Sequence, residues 1–152
     1  MPLPPLIIYT ITNTGSAFYL RSSGTVDYTV DWGDGSSEAS VSNALLHTYS
    51  ASGTYTINVS SDVAYRPHFA ASGATGEDQI TSVEIRDGIN LGTDLTQAWY
   101  GAQNITAFVA SSATSTVQVF SSTWQACSSL TGFPAVNVSS GTNFYAAWYA
   151  CT

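Results

Sequence analysis

The sequence predicts a mainly β protein in two parts: a β-sandwich over residues 1–62, then a short solenoid over residues 78–152, joined by a connector at 63–77. Three observations carry this. Strand-length runs rich in β-branched residues alternate with Gly, Asn and Ser turn signals through the N-terminal part. Trp99, Trp124 and Trp148 recur at nearly equal intervals in similar surroundings, the mark of a repeat array whose coils are about 25 residues long. Only 9% of residues are charged while 44% are hydrophobic. Against roughly 25% charged in average globular usage, Ser, Thr, Asn and Gln must supply the polar surface, which suits β structure.

In chain order, Leu6–Thr12 is β-branched and stops at Asn13-Thr-Gly15. Ala17–Leu20 stops at Ser22-Ser-Gly24, and Val26–Trp32 alternates with period two and enters Gly33-Asp34-Gly35. Gly53–Val59, following His47-Thr-Tyr49, closes the set as a hairpin. Short strands with frequent turns argue for a sandwich. Tyr65–Phe69 reads as a short strand within the connector and Ala70–Gly76 as a loop. Beyond it the units align as Leu95-Thr-Gln-Ala-Trp99-Tyr-Gly-Ala102, Phe120-Ser-Ser-Thr-Trp124-Gln-Ala-Cys127 and Phe144-Tyr-Ala-Ala-Trp148-Tyr-Ala-Cys151. The first two are followed by Ile105-Thr-Ala-Phe108 and Leu130-Thr-Gly-Phe133, and Ile80-Thr-Ser-Val83 is a degenerate earlier copy one repeat upstream. Leu130–Val136 is expected to be the extended side of a coil. Phe144–Cys151 is expected to be its short helical or irregular side, because Phe144, Trp148 and Cys151 fall at i, i+4 and i+7. An LTxF strand is expected after Cys151-Thr152, so either further chain, the preferred expectation, or another subunit covers that face.

Tyr28-Thr-Val-Asp-Trp-Gly-Asp-Gly-Ser36, followed by His47-Thr-Tyr-Ser50 and Gly53-Thr-Tyr-Thr-Ile57, resembles the polycystic kidney disease (PKD) domain, an immunoglobulin-like sandwich. Asp34-Gly35 would supply the tight turn. Trp32, Tyr49 and Tyr55 would be core fillers whose polar ends seek partners, His47 a structural residue, and Tyr55 the tyrosine of a Greek-key corner. The FxxxWxxC–LTxF units resemble the BspA-like leucine-rich repeats of bacterial surface proteins. Ala102 departs from the expected cysteine, Trp replaces a more usual Met-Phe pair, and coil length varies. In such an array Trp99, Trp124, Trp148, Phe108, Phe133, Cys127 and Cys151 form the repeat core, the two cysteines as free buried thiols. Tyr100, Tyr145 and Tyr149 are then the candidates for partner contacts.

Charge and motifs narrow the function. Ten acids oppose three arginines, with no lysine and a net charge of −7, so no phosphate-neutralising patch can form and nucleic acid is not an expected partner. No stretch is long and apolar enough for a membrane span, and the N-terminus lacks a signal-peptide pattern. Asp31 and Asp34, with Asp27 or Glu38 nearby, admit a calcium reading, but the ligand spacing of an EF-hand is absent and an exposed hairpin turn is preferred. His47 and His68 sit in no nucleophile context. Asn58-Val-Ser60, Asn104-Ile-Thr106 and Asn137-Val-Ser139 fit the glycosylation pattern, which arises freely in a Ser/Thr-rich chain.

The expectation is therefore a protein without catalytic residues or cofactor: a decoration, fibre or spike component on a phage virion surface. Its expected partners are other virion proteins, copies of itself, or a host-surface glycan or protein. The alternatives are the front part of a BspA-like bacterial cell-surface adhesin and a carbohydrate-binding accessory module.

Overall fold

The structure, a computed structural model, describes residues 6–69, 76–110 and 114–151. The protein is mainly β, with a short 3-10 turn at Glu77–Gln79. Six strands, β1 (Ile7–Asn13), β2 (Ala17–Asp31), β3 (Ser37–Thr48), β4 (Gly53–Ser60), β5 (Ile80–Ile85) and β6 (Ala107–Ala110), form one open sheet in the order β3-β2-β4-β1-β5-β6.

β1 shows why alternation decides a strand. Ile7, Tyr9, Ile11 and Asn13 point inward, while Ile8, Thr10 and Thr12 do not. Asn13 is buried yet satisfied. Its amide nitrogen donates to the Ser16 carbonyl (2.8 Å) and to Gln79 Oε1 (2.6 Å), and its Oδ1 accepts from the Gly15 and Ser16 N–H groups. That Asx turn ends the strand and ties it to the 3-10 turn. β4 pairs antiparallel along all of β1, and β5 pairs antiparallel on its other edge.

The break expected at Ser22-Ser-Gly24 does not occur: β2 runs unbroken for 15 residues. The register against β3 jumps from Arg21↔Ala44 to Val26↔Ser42, so the glycine signal is a bulge rather than a turn. Gly24 takes the left-handed conformation there (φ 101°). The other edge of β2 at this point is occupied by the connector, through the Ser22↔Pro67 bridge and the Ser23 N–H to Arg66 carbonyl bond.

That connector is part of the core. Tyr65 and Phe69 are fully buried, and Tyr65 packs edge-on to Tyr28 while Phe69 meets Tyr9 and Phe18. Pro67, which has no N–H to give a ladder, limits the strand expected at 65–69 to one bridge. The loop expected at Ala70–Gly76 lies, except for Gly76, outside the described residues.

The C-terminal part is laid down by parallel pairing at the repeat spacing. β5 and β6 pair in parallel with Ser82 opposite Ala107 and Val83 opposite Phe108, and isolated parallel bridges join Asp94 to Val119, Val119 to Asn143 and Val109 to Ala135. One hydrophobic cluster runs from Leu6 through Ile85 and Trp124 to Ala147, so the sheet and the repeated units share a core. Leu130–Val136 is less regular than expected, with a single bridge at Ala135, because Pro134 interrupts the ladder and the Val136 N–H turns back to the Pro134 carbonyl.

Candidate binding surfaces

Two aromatic clusters and one groove are the places where this chain concentrates chemistry. The first lies at the turn between β2 and β3. The Asp31 carboxylate accepts from the Gly33 N–H (2.9 Å); Asp34 Oδ1 accepts from the Ser36 N–H (2.9 Å) and hydroxyl (2.6 Å), and Asp34 Oδ2 pairs with His47 Nε2 (2.8 Å). These bonds, the Ser36 hydroxyl foremost, hold the Asp34 carboxyl down at about 2. His47 stacks on Trp32 (centroids 4.6 Å, 9°) and meets Tyr49 edge-on, and Tyr49 in turn stacks on the half-buried Tyr55.

Each polar end in this cluster has an assigned partner. The Trp32 indole N–H donates to Glu38 Oε1 (2.8 Å), the Tyr49 hydroxyl to the Trp32 carbonyl (2.9 Å), and the Tyr55 hydroxyl to the Ala51 carbonyl (3.0 Å) just upstream. Asp31, Asp34 and Glu38 are thus committed to the turn, and among the described residues no group of three His, Cys, Asp or Glu side chains is placed to hold a metal ion. The glycine with the hardest steric demand in this turn is Gly33: a Cβ there would lie 2.4 Å from the Thr56 carbonyl oxygen, at a φ of 77°. The sequence points to Asp34-Gly35 for the turn and does not reveal this close approach.

The second cluster is the tryptophan ladder. Trp99 and Trp124 stack at 6.1 Å and 14°, and Trp124 and Trp148 at 5.5 Å and 12°; Phe120 and Phe144 stack beside them at 5.2 Å and 3°. Phe108 sits edge-on to both Trp99 (4.7 Å) and Trp124 (5.5 Å). Phe133, expected at the equivalent core position, is instead 64% exposed and only leans on Trp148 (4.8 Å). Phe108 belongs to a hydrogen-bonded strand, whereas Phe133 precedes Pro134 and has no ladder to hold it inward.

The expected helical side, Phe144–Cys151, is built from successive turns. Ala147, Tyr149 and Cys151 N–H groups bond back to the Phe144, Ala146 and Trp148 carbonyls, and Ala146 and Ala150 are left-handed (φ 51° and 61°). The same two places are left-handed in every unit: Gln97 and Gly101, then Ser122 and Ala126. Non-glycine residues rarely adopt this conformation. Here the bonds between neighbouring units hold it.

The cysteines have a local task in this geometry. Cys127 Sγ donates to the Trp99 carbonyl (3.2 Å) and Cys151 Sγ to the Trp124 carbonyl (2.9 Å), each reaching one unit back. Both thiols are free; Cys127 is buried as expected, Cys151 only partly. Burial pushes Cys127 up to about 12 and raises Cys151 too, which disfavours the thiolate at both. Ala102 breaks the pattern where no preceding unit offers a Trp carbonyl. In contrast with Trp32, the indole N–H groups of Trp99, Trp124 and Trp148 have no hydrogen-bond partner among the described residues; that of Trp99 faces the buried Tyr9 hydroxyl without hydrogen-bond geometry. On the outside, Tyr145 and Tyr149 are 78% and 67% exposed, while Tyr100 is half-buried.

A groove of about 1060 Å³ opens beside the 3-10 turn, lined by Thr12, Ser16, Glu77, Gln79, Gln103 and Asn104 among others. Burial, above all, raises the Glu77 carboxyl above the usual range. The sequence carried a signal for this groove: Gln79, Asn104 and Ser129 are polar at equivalent repeat positions. No family model, no curated protein and no solved structure matches this chain.

Proposed function

We propose that the chain is a non-enzymatic structural and adhesion protein: a PKD-like sandwich bearing a short leucine-rich-type solenoid that presents a binding surface. The observation that carries this reading is the ladder itself, in which three tryptophans stack within 14° of parallel while Tyr145 and Tyr149 stand outward from the same coils. Such stacking makes a stiff scaffold, and exposed tyrosines are rigid, amphipathic contact residues at low entropic cost. The Asp34 carboxylate, engaged with its own turn, and the buried Cys127 thiol support a structural reading of those two groups. The setting we propose is a virion surface, where a weakly charged, hydroxyl-rich exterior without a basic patch can contact other virion proteins or a host surface. The test is density-gradient fractionation of the source material with mass spectrometry of its peptides. Co-migration with DNA-containing particles supports the reading; banding with cell envelopes or remaining at the top overturns the virion setting.

The groove favours a second reading, a carbohydrate-binding module, because hydroxyls, amides and one carboxyl are the donors and acceptors a sugar needs. Calorimetric titration with a panel of oligosaccharides separates the two. Saturable heat that is lost in Gln103→Ala supports it.

A further inference from the structure

The groove beside the 3-10 turn has a hydrogen-bond polarity, because many of its side-chain donors are spent inside the protein. Gln79 Nε2 donates to the Ala17 carbonyl (3.1 Å) and the Ser16 hydroxyl (3.3 Å), and the Asn104 amide donates to the Asp78 carbonyl. The Thr81 hydroxyl donates to the Thr10 carbonyl (3.1 Å), and the Thr106 hydroxyl to the Thr81 carbonyl (3.3 Å). The bonds of the buried Asn13 fix Ser16 and Gln79 in this arrangement.

The acceptors are left over. Glu77 and the exposed Asp78 both line the groove, whereas among the described residues no arginine, lysine or histidine does, and no aromatic ring. One oxygen of the Glu77 carboxyl is shielded from solvent and accepts no hydrogen bond among the described residues. Burial raises this carboxyl above the usual range; Arg21 opposes that from a distance, without forming an ion pair with it. The stem of Glu77 runs against Gly101, where a Cβ would lie 3.7 Å from its Cγ, and the later units carry Ala126 and Ala150 at that place. With no ring to stack on, a sugar in this groove is held by polar contacts.

We infer that the groove takes a glycan carrying a free, protonated amino group, which Glu77 and Asp78 receive, and that it turns acidic sugars away. An ammonium group donates hydrogen bonds and accepts none. That matches a wall whose amides and hydroxyls already donate inward and whose carboxyls are left to accept. A cation beside Glu77 also favours its ionised form, offsetting what burial costs it, and a hydrogen bond between two charged groups is stronger than one between neutral groups. A uronic acid or a sulfated sugar instead brings further negative charge to a wall with no cation in its lining to meet it. The inference rests on the carbohydrate reading of the groove, whose class of sugar it names, and is independent of the virion setting.

The test is calorimetric titration of the whole protein at low salt with oligomers of equal length: glucosamine, N-acetylglucosamine and a uronic acid. The glucosamine oligomer should bind roughly tenfold more tightly than its acetylated counterpart, as expected for one charge-assisted hydrogen bond, and the uronic acid oligomer should not bind. Glu77→Gln should abolish that preference while leaving the affinity for the acetylated oligomer and the thermal unfolding midpoint unchanged. A chain of net charge −7 attracts any cationic oligomer weakly, so the control is Asp62→Asn, an exposed carboxylate beyond the end of β4 that lies away from Asn13, which should keep the preference. Equal affinity for the two glucosamine-type oligomers, or a preference that Glu77→Gln and Asp62→Asn reduce alike, overturns the inference and leaves the carbohydrate reading standing. Binding of none of the three overturns the inference, and if the wider oligosaccharide panel also gives no heat, the carbohydrate reading falls with it.

Discussion

Trp32 and Trp124 are both completely buried, yet they are held in opposite ways. Trp32 sits in a cluster tied by specific side-chain bonds: its indole on Glu38, its carbonyl under Tyr49, and its ring against a histidine fixed by Asp34. Trp124 is held by a ring on either side and by backbone bonds that recur in the next unit, and its indole N–H is bonded to nothing among the described residues. The first arrangement depends on which atoms each side chain carries, the second on its shape. This difference makes the two regions sensitive to different substitutions.

The largest effect belongs to shape. Trp124→Ala removes the ring that joins Trp99, Trp148, Phe108 and Phe120, and should cost roughly 3–5 kcal/mol in urea unfolding, as other buried large-to-small changes do. The m-value should change as well if the third unit frays from the sheet. Trp148→Ala, at the half-buried end of the ladder, should cost clearly less.

Backbone geometry comes next. Gly33→Ala places a methyl group against the Thr56 backbone and forces an L-residue into the left-handed region, for a loss of about 1–3 kcal/mol or more. Ala126→Gly tests the opposite case. Because Ala126 already sits at φ 64°, glycine relieves strain there, and the change should be close to neutral although glycine ordinarily weakens regular structure. Thermal unfolding of both variants measures the contrast.

How much of this was legible follows the same division. Alternation in Ile7–Asn13 and the spacing of Trp99, Trp124 and Trp148 expose a β-rich chain with repeated units, because burial on one face imposes a period that composition alone can carry. The continuity of β2 was not legible: Gly24 reads the same in a turn and in a bulge, and the choice is made by a connector, distant in sequence, that occupies the strand edge at Ser22 and Ser23. The turns at Gln97, Ser122 and Ala146 were hidden for a similar reason. Their residue types are compatible with helix, and the i, i+4, i+7 placement of aromatic residues fits a helix too. What overrides both is a set of bonds to the neighbouring unit, which local sequence does not encode. Phe133 misled because Pro134 changes its surroundings while leaving its repeat position intact.

A finer comparison removes one atom from each tryptophan. Replacing Trp32 by benzothienylalanine keeps the ring and deletes the N–H, leaving Glu38 Oε1 without its donor; a net loss of about 0.5–1.5 kcal/mol is expected. The same replacement of Trp124 deletes a buried donor that has no partner among the described residues and should be neutral or stabilising. Equal losses at both positions would mean that the Trp124 indole is hydrogen-bonded in solution, and the contrast between the two regions would fail.

The smallest effect is the acid dependence of the turn. Folding holds the Asp34 carboxyl at about 2, below its ordinary 3.8, so the folded state favours the carboxylate. The stability this supplies is fully present above the ordinary value and is lost progressively as the pH falls toward 2. Asp34 sits in an exposed turn, so the contribution is screened and small. Asp34→Asn keeps an oxygen for the Ser36 N–H but no charge to titrate. Its unfolding curve should therefore lie slightly below that of the parent protein at pH 6 and converge with it near pH 2. No comparable convergence is expected for Trp124 variants, because the groups that bond the ladder and can titrate, the Cys127 and Cys151 thiols, stay protonated throughout the acid range; a pH-dependent gap there would place a charged partner on the indole edge.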